Sequence, residues 1–411
     1  MKTRIFIVLS CMSLLLGCEK DIPIRPIEPI VVKNTLETHT DLNKKTSWYI
    51  TNTLFSGGFF IDTSSIKNLN RNSISYFSNR TCMYYGDLNG DGKKDILNNY
   101  WVAPFGSNKP GYYVTWEYDK SGFKTPNYAE GLTGARKFIF NDYYNNGKLQ
   151  ALIASSGADS QPFSGDSIQI ISFNSDMSMN LKTISEVIGY YHSGASGDID
   201  NDGDIDFILY SGGGQSKMGV VYFENIGNNN FKYNPNLVTG LGYINNNPNN
   251  YYTIEIFDIN KDGYLDIILG GGKATSSSNR ILWGNSMHTF NTNNQTILPI
   301  NNDYSSVVDI SFSDIDKDGD IDIFLLSQIE NQGFGVQILE NKDDTFIDVS
   351  DSRMDVSNKP NSLWFAWLRL FDVDNDGDYD LVGDGYGYTQ SQTVPKIMWI
   401  NDGKGYYKSF F

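Results

Sequence analysis

The sequence predicts an all-β chain of repeated four-stranded units, and three observations predict it. An aspartate-rich loop of nine residues recurs six times at a near-constant step. Each copy leads into a short apolar run that stops at glycine or polar residues, as in Asp266 to Gly270, which is strand length rather than helix length. Each unit then carries a second hairpin whose turn is rich in Asn, Gly and Asp.

The loops start at residues 87, 142, 198, 258, 314 and 372, so the steps are 55, 56, 60, 56 and 58 residues. Five copies keep oxygen side chains at the first, third, fifth and ninth positions. These are Asp87, Asn89, Asp91 and Asp95; Asp198, Asp200, Asp202 and Asp206; Asp258, Asn260, Asp262 and Asp266; Asp314, Asp316, Asp318 and Asp322; and Asp372, Asp374, Asp376 and Asp380. The copy at Asp142 has Tyr144 at the third position and Gln150 at the ninth, so it predicts the loop shape without an ion.

Calcium takes six to eight oxygens at about 2.3–2.6 Å, and acidic side chains two apart on a tight loop converge on one point. The glycine at the sixth position of every copy permits the sharp reversal this requires. The pattern therefore predicts about five calcium sites. An EF-hand would need a glutamate at the twelfth position.

 The five twelfth-position residues are Asn98, Leu209, Leu269, Leu325 and Gly383, none of them acidic, and strands rather than helices follow the loops.

The second hairpins are read at Gly219 to Asn225 with Asn230 to Tyr233, Ile281 to Asn285 with Thr289 and Phe290, Val336 to Asn341 with Thr345 and Phe346, and Ile397 to Asn401 with Tyr406 and Tyr407. A unit is thus four short strands in about 57 residues. The D-x-[DN]-x-D-G-x-x-D loop, the D-[IL]-I-L-G strand and the apolar-N-x-x-G-x-F hairpin together resemble FG-GAP or VCBS repeats, the repeats of integrin-α-like propellers. The resemblance covers residues 47–411 and implies a β-propeller of four-stranded blades with calcium-binding loops between the first and second strands. It favours seven blades, with six as the alternative: there are six loops, and a further hairpin at Trp48 to Ile61 precedes the first.

The N-terminus predicts export. Lys2 and Arg4 precede an apolar run from Ile5 to Gly17, too short for a permanent span and proportioned as a signal-peptide core over residues 1–17. The run ends Leu15-Leu16-Gly17-Cys18, which resembles a bacterial lipobox with Cys18 as the lipidated residue. Residues 18–46 read as an extended tether spaced by Pro23, Pro26 and Pro29. Glu19-Lys20-Asp21 resembles the surface-export signal of Bacteroidetes lipoproteins and implies an outer-membrane protein, lipid-anchored and exposed at the cell surface. Cys82 alone remains in the mature domain, so no internal disulfide staples it. A net charge of −16 excludes nucleic acid and anionic membrane surfaces as partners, leaving the lipid anchor as the membrane contact.

Strands of a blade alternate in direction, so all the aspartate loops share one face. The opposite face is predicted to be aromatic and to bind an extracellular glycan or protein through Trp101, Tyr190, Tyr191, His192, Tyr251, Trp364, Tyr386 and Tyr388. No serine lies in a nucleophile elbow, the Gly212 to Gly214 run precedes no helix, and the aspartate spacing assigns those carboxylates to metal. The sequence therefore assigns no catalytic residue and favours a binding or adhesion module. The alternative is a polysaccharide-active enzyme, similar to propeller lyases, which would draw on basic residues at that face: His192, Lys273 and Lys109.

Overall fold

A computed structural model describes residues 83–410, apart from 93–94, 101–107, 120–121, 124–126, 159, 213–217, 242–250, 273–277, 302, 330–332, 361–364, 372–375 and 385–397. Cys18, the tether, the hairpin at 48–61, Trp101, Lys273, Trp364, Asp372, Asp374, Tyr386 and Tyr388 lie outside the described residues. The described chain is almost entirely β, and none of its helices is long and apolar enough to cross a membrane.

Six antiparallel sheets follow one another among the described residues, each built around a meander of four strands. Sheet 1 holds β1 (Met83–Gly86), β2 (Asp95–Tyr100), β3 (Tyr112–Asp119) and β4 (Gly122–Phe123), with β5 (Asn127–Glu130) also paired to β3. Sheet 2 holds β6 (Ala135–Asn141), β7 (Gln150–Ser155), β8 (Asp166–Phe173) and β9 (Met179–Gly189). Sheet 3 holds β10 (Tyr191–Gly197), β11 (Asp206–Ser211), β12 (Gly219–Asn225) and β13 (Phe231–Tyr233). After β14 (Val238–Thr239), sheet 4 is formed by β15 (Thr253–Phe257), β16 (Asp266–Gly270), β17 (Arg280–Leu282) and, beyond β18 (Phe290–Asn291), β19 (Gln295–Ile297). Sheet 5 holds β20 (Ser306–Ser313), β21 (Asp322–Gln328), β22 (Gly333–Lys342) and β23 (Thr345–Asp348), and is followed by the short helix α1 (Ser350–Arg353) and by β24 (Asn358–Pro360) on β22. Sheet 6 holds β25 (Trp367–Phe371), β26 (Asp380–Asp384), β27 (Met398–Asn401) and β28 (Tyr407–Phe410).

The burial explains why the second strands read as continuous apolar runs instead of alternating ones. Every residue of β11, β16 and β7 is buried, because both faces of each sheet are covered by its neighbours. The outer strands β13 and β19 are only partly covered, and polar residues return there. The core is accordingly divided into apolar seams between consecutive sheets. Leu97 and Tyr113 meet Phe138 and Ile153; Leu152 and Ile170 meet Phe207 and Val221; Ile208 and Tyr222 meet Ile254 and Leu269. The series continues with Ile268 and Ile281 against Ile310 and Ile323, then Phe324 and Val336 against Leu370 and Leu381. First strands stand beside first strands, β6 by β10, β10 by β15, β15 by β20 and β20 by β25.

Three of the four predicted second hairpins form in the expected places, as β12 with β13, β22 with β23 and β27 with β28. The hairpin expected from Ile281 to Phe290 does not. β17 pairs instead with β19, and Phe290 enters the seam between sheets 3 and 4, where β18 runs parallel to β14. The ring of Phe290 is almost fully buried there, and that burial outweighs the register a tight turn at residues 286–288 would set.

Candidate metal loops and the face opposite them

The aspartate loops join first to second strands: 87–94 between β1 and β2, 142–149 between β6 and β7, 198–205 between β10 and β11, 258–265 between β15 and β16, 314–321 between β20 and β21, and 372–379 between β25 and β26. They are numbered loops 1 to 6 below. One backbone scheme recurs. In loop 4 the first-position carboxylate of Asp258 accepts the Asp262 N–H at 3.0 Å and the Gly263 N–H at 3.0 Å. Asp314 does the same in loop 5 for Asp318 and Gly319, at 3.1 and 3.0 Å. The sixth-position glycine takes a positive φ in every loop, between +76° at Gly147 and +101° at Gly319, which closes the reversal.

The ninth-position aspartate is fully buried and works as a brace. Oδ2 of Asp266 accepts the Ile259 N–H at 2.9 Å, while Oδ1 accepts the Gly284 N–H at 2.8 Å from the end of the third strand. Asp206 bridges Ile199 and Asn225, and Asp322 bridges Ile315 and Asn341, in the same way. In loop 6 the Asn401 N–H reaches Asp380 Oδ1 at 2.8 Å. Burial pushes the carboxyls of Asp95 and Asp322 up to about 7 and those of Asp206 and Asp266 up to about 8, against the lowering effect of the N–H groups they accept.

The sequence reading treated all four positions alike and missed the partner of the ninth. Asn225, Asn341 and Asn401 supply the backbone N–H, and their side-chain amides donate to the loop carbonyls of Ile205, Ile321 and Tyr379. The signal was present in the repeated asparagine of the second hairpin. Loop 2 keeps the scheme without the carboxylate. Gln150 Oε1 accepts the Tyr144 N–H at 3.0 Å and its Nε2 donates to the Lys148 carbonyl at 2.7 Å, so an amide performs the bracing and the loop holds its shape.

Two loops bring three acids together. Asp198, Asp200 and Asp202 in loop 3, and Asp314, Asp316 and Asp322 in loop 5, each place ligand oxygens within 4.8 Å of one another. These clusters could hold a metal ion. Asp198 is 6% exposed, and its Oδ1 is buried and accepts no hydrogen bond, a cost that a bound cation removes. Burial and the carboxylates of Asp202, Asp198 and Glu224 raise the Asp200 carboxyl, again the setting a cation relieves. Loops 1 and 4 have the amides Asn89 and Asn260 at the third position and form no three-acid group; Asp376 and Asp380 are the described acids among the expected loop 6 ligands.

The expected aromatic face needs correction. Tyr190, Tyr191 and Tyr251 are 5%, 0% and 2% exposed, so they offer no ring to a ligand. The cause is a β-bulge: Tyr191 pairs with Ser211 and Ser193 with Tyr210, which leaves His192 as the extra residue. Tyr191 thereby turns into the seam between sheets 2 and 3, and Tyr251 packs edge-on against Tyr210 beneath the Arg280 guanidinium. The half-buried His192 is placed differently. Its ring stacks on Tyr252 at 5.4 Å and 14° and meets Tyr190 edge-on at 5.1 Å, and Phe163 continues the row against Tyr190 at 6.0 Å. The same bulge recurs at Arg136 and Val308 at the starts of β6 and β20. Arg136 donates from Nε to Ser156 Oγ at 2.9 Å. Phe163 and Arg136 escaped the sequence reading; the Pro162-Phe163-Ser164-Gly165 turn, with Phe163 at φ +54°, was its signal. Because β10 runs from Tyr191 towards loop 3, this row lies at the strand ends away from the loops, roughly 20 Å along the sheet. Lys109 is exposed.

Residues 198–269 and 258–325 match the family model of the FG-GAP-like repeat. These segments carry loops 3, 4 and 5. No curated protein matches the chain in sequence. Among solved structures it is similar to an Agrocybe aegerita lectin described as specifically recognising non-reducing terminal N-acetylglucosamine, at 14% identity and a TM-score of 0.44, covering 83% of this chain and 82% of that one. It is also similar to the periplasmic gluconolactonase of Pseudomonas aeruginosa, at 10% identity and a TM-score of 0.44, covering 80% of this chain and 85% of that one.

Proposed function

We propose that this chain is a glycan-binding module on a calcium-stiffened β-propeller, exported and anchored to the outer membrane through Cys18. The six consecutive meanders serve as blades, and the third and fifth loops, with their grouped carboxylates, are the best-formed calcium sites. Asp198, Asp200 and Asp202 would hold one ion and Asp314, Asp316 and Asp322 another, each ion supplying positive charge that offsets the clustered carboxylates.

The observation that carries the binding reading is the set of half-buried rings Phe163, His192 and Tyr252, with the buried Tyr190 packed between Phe163 and His192, at the end away from the loops. Half-buried rings of this kind present flat apolar faces to the C–H groups of a pyranose, while an imidazole and a phenol offer hydrogen bonds to its hydroxyls. Replacing both His192 and Tyr252 by alanine is expected to weaken retention on a glycan array by about tenfold or more, the loss typical of a central anchor. Unchanged binding to every glycan would overturn the reading. The anchor is tested separately: Cys18→Ala is expected to move the protein from the membrane fraction to the soluble one.

A further inference from the structure

Loops 3 and 5 contain the same acids at the same positions, yet the cations paired with them differ. Asp200 and Asp316 are the third-position carboxylates. Glu224 and Glu340 also correspond, each preceding the asparagine whose N–H caps the ninth-position aspartate. With the acids at the first, third, fifth and ninth positions, each glutamate makes a group of five carboxylates. In loop 5 the last residue of α1, Arg353, reaches into this group. Its Nη2 lies 2.9 Å from Glu340 Oε2 and 3.4 Å from Asp316 Oδ2, and its Nη1 donates to the Lys404 carbonyl at 2.9 Å. Asp316 Oδ1 is buried without a partner, so the residue gives one oxygen to the guanidinium and keeps the other uncommitted. Lys342 also contacts Glu340, but it is 57% exposed and largely screened by solvent. In loop 3 no arginine or lysine among the described residues forms an ion pair with Asp200 or Glu224.

We propose that Arg353 is a built-in counter-ion that makes loop 5 a weaker divalent-cation site than loop 3. The inference rests on the calcium reading given above. A fixed positive charge beside one ligand repels an incoming ion, and at a half-exposed position the effect on affinity is about tenfold. The same guanidinium holds the Lys404 carbonyl in the turn between β27 and β28, so the cation seat of loop 5 is also tied to sheet 6.

Calcium titration of the full chain in detergent by isothermal calorimetry tests this. Asp200→Asn is expected to remove a tighter class of sites than Asp316→Asn removes. Arg353→Met is expected to move the class lost in Asp316→Asn about tenfold tighter, and Arg353→Lys to leave it near its original position. The proposal is overturned if Arg353→Met weakens that class or leaves it unchanged, if Arg353→Lys tightens it equally, or if Asp316→Asn removes the tighter class. Should Arg353→Met fail to fold, the Asp200→Asn and Asp316→Asn pair and Arg353→Lys still decide. A wild-type chain that takes up no calcium would instead sink the metal reading itself.

Discussion

An aspartate in these loops has a role set by its position. Asp266 satisfies two buried N–H groups, one from its loop and one from the third strand, and does so whether or not an ion is present. Asp266→Ala leaves both without an acceptor and is expected to cost about 2–5 kcal/mol, undiminished in chelator, as denaturant unfolding would register. Asp200 braces much less: its Oδ1 accepts a single long contact from Asp202, at 3.3 Å. Asp200→Asn is accordingly expected to change stability in chelator by no more than about 0.5 kcal/mol, and to matter only with metal present. A large loss in chelator for Asp200→Asn, or none for Asp266→Ala, would contradict this division. The spacing of oxygen side chains was legible in the sequence because candidate metal ligands and braces are drawn from the same residue type. The division between them was not, since it depends on which N–H groups the third strand brings alongside.

At the scale of the element, loops and strands were legible to different depths. The nine-residue loop is a local object whose shape follows from short Asx contacts and one glycine, so it could be read without tertiary information. Gly263 sits at φ +91°, and a Cβ there would meet nothing within 4 Å. Gly263→Ala therefore carries a conformational cost alone, expected at about 1–2 kcal/mol by denaturant unfolding. A neutral result would mean that the reversal is not needed. The strand ends were harder. A run such as Tyr190-Tyr191-His192 assigns its side chains by simple alternation only while the ladder is regular, and the bulge at His192 breaks that alternation. Similarly, Thr289 and Phe290 looked like a returning strand until the apolar seam between sheets 3 and 4 claimed the phenylalanine.

For the whole molecule the decisive feature is that apolar seams lie between sheets, while acidic loops gather at the first-to-second connections. The seams account for the continuous apolar strands that the sequence displayed. The loops account for much of the net charge of −16, which is a local property and not a uniformly acidic surface. Stability should then depend on cations more steeply than on ionic strength in general. Each ion bound at a hundredfold excess over its Kd adds about 2.7 kcal/mol to the folded state. Vacating the sites also leaves oxygens of Asp198, Asp200 and Asp202 within 4.8 Å of one another with no intervening charge. Chelation is therefore expected to lower the melting temperature by several degrees, measured by scanning calorimetry. Calcium should restore it more fully than magnesium, whose smaller shell demands near-octahedral geometry and gives up water reluctantly. Added sodium chloride at equal ionic strength should restore little, because it screens the exposed carboxylates without coordinating the buried Asp198 oxygen. A melting temperature indifferent to chelator, or restored equally by sodium, would remove the loops as metal sites and leave the buried aspartates as braces alone.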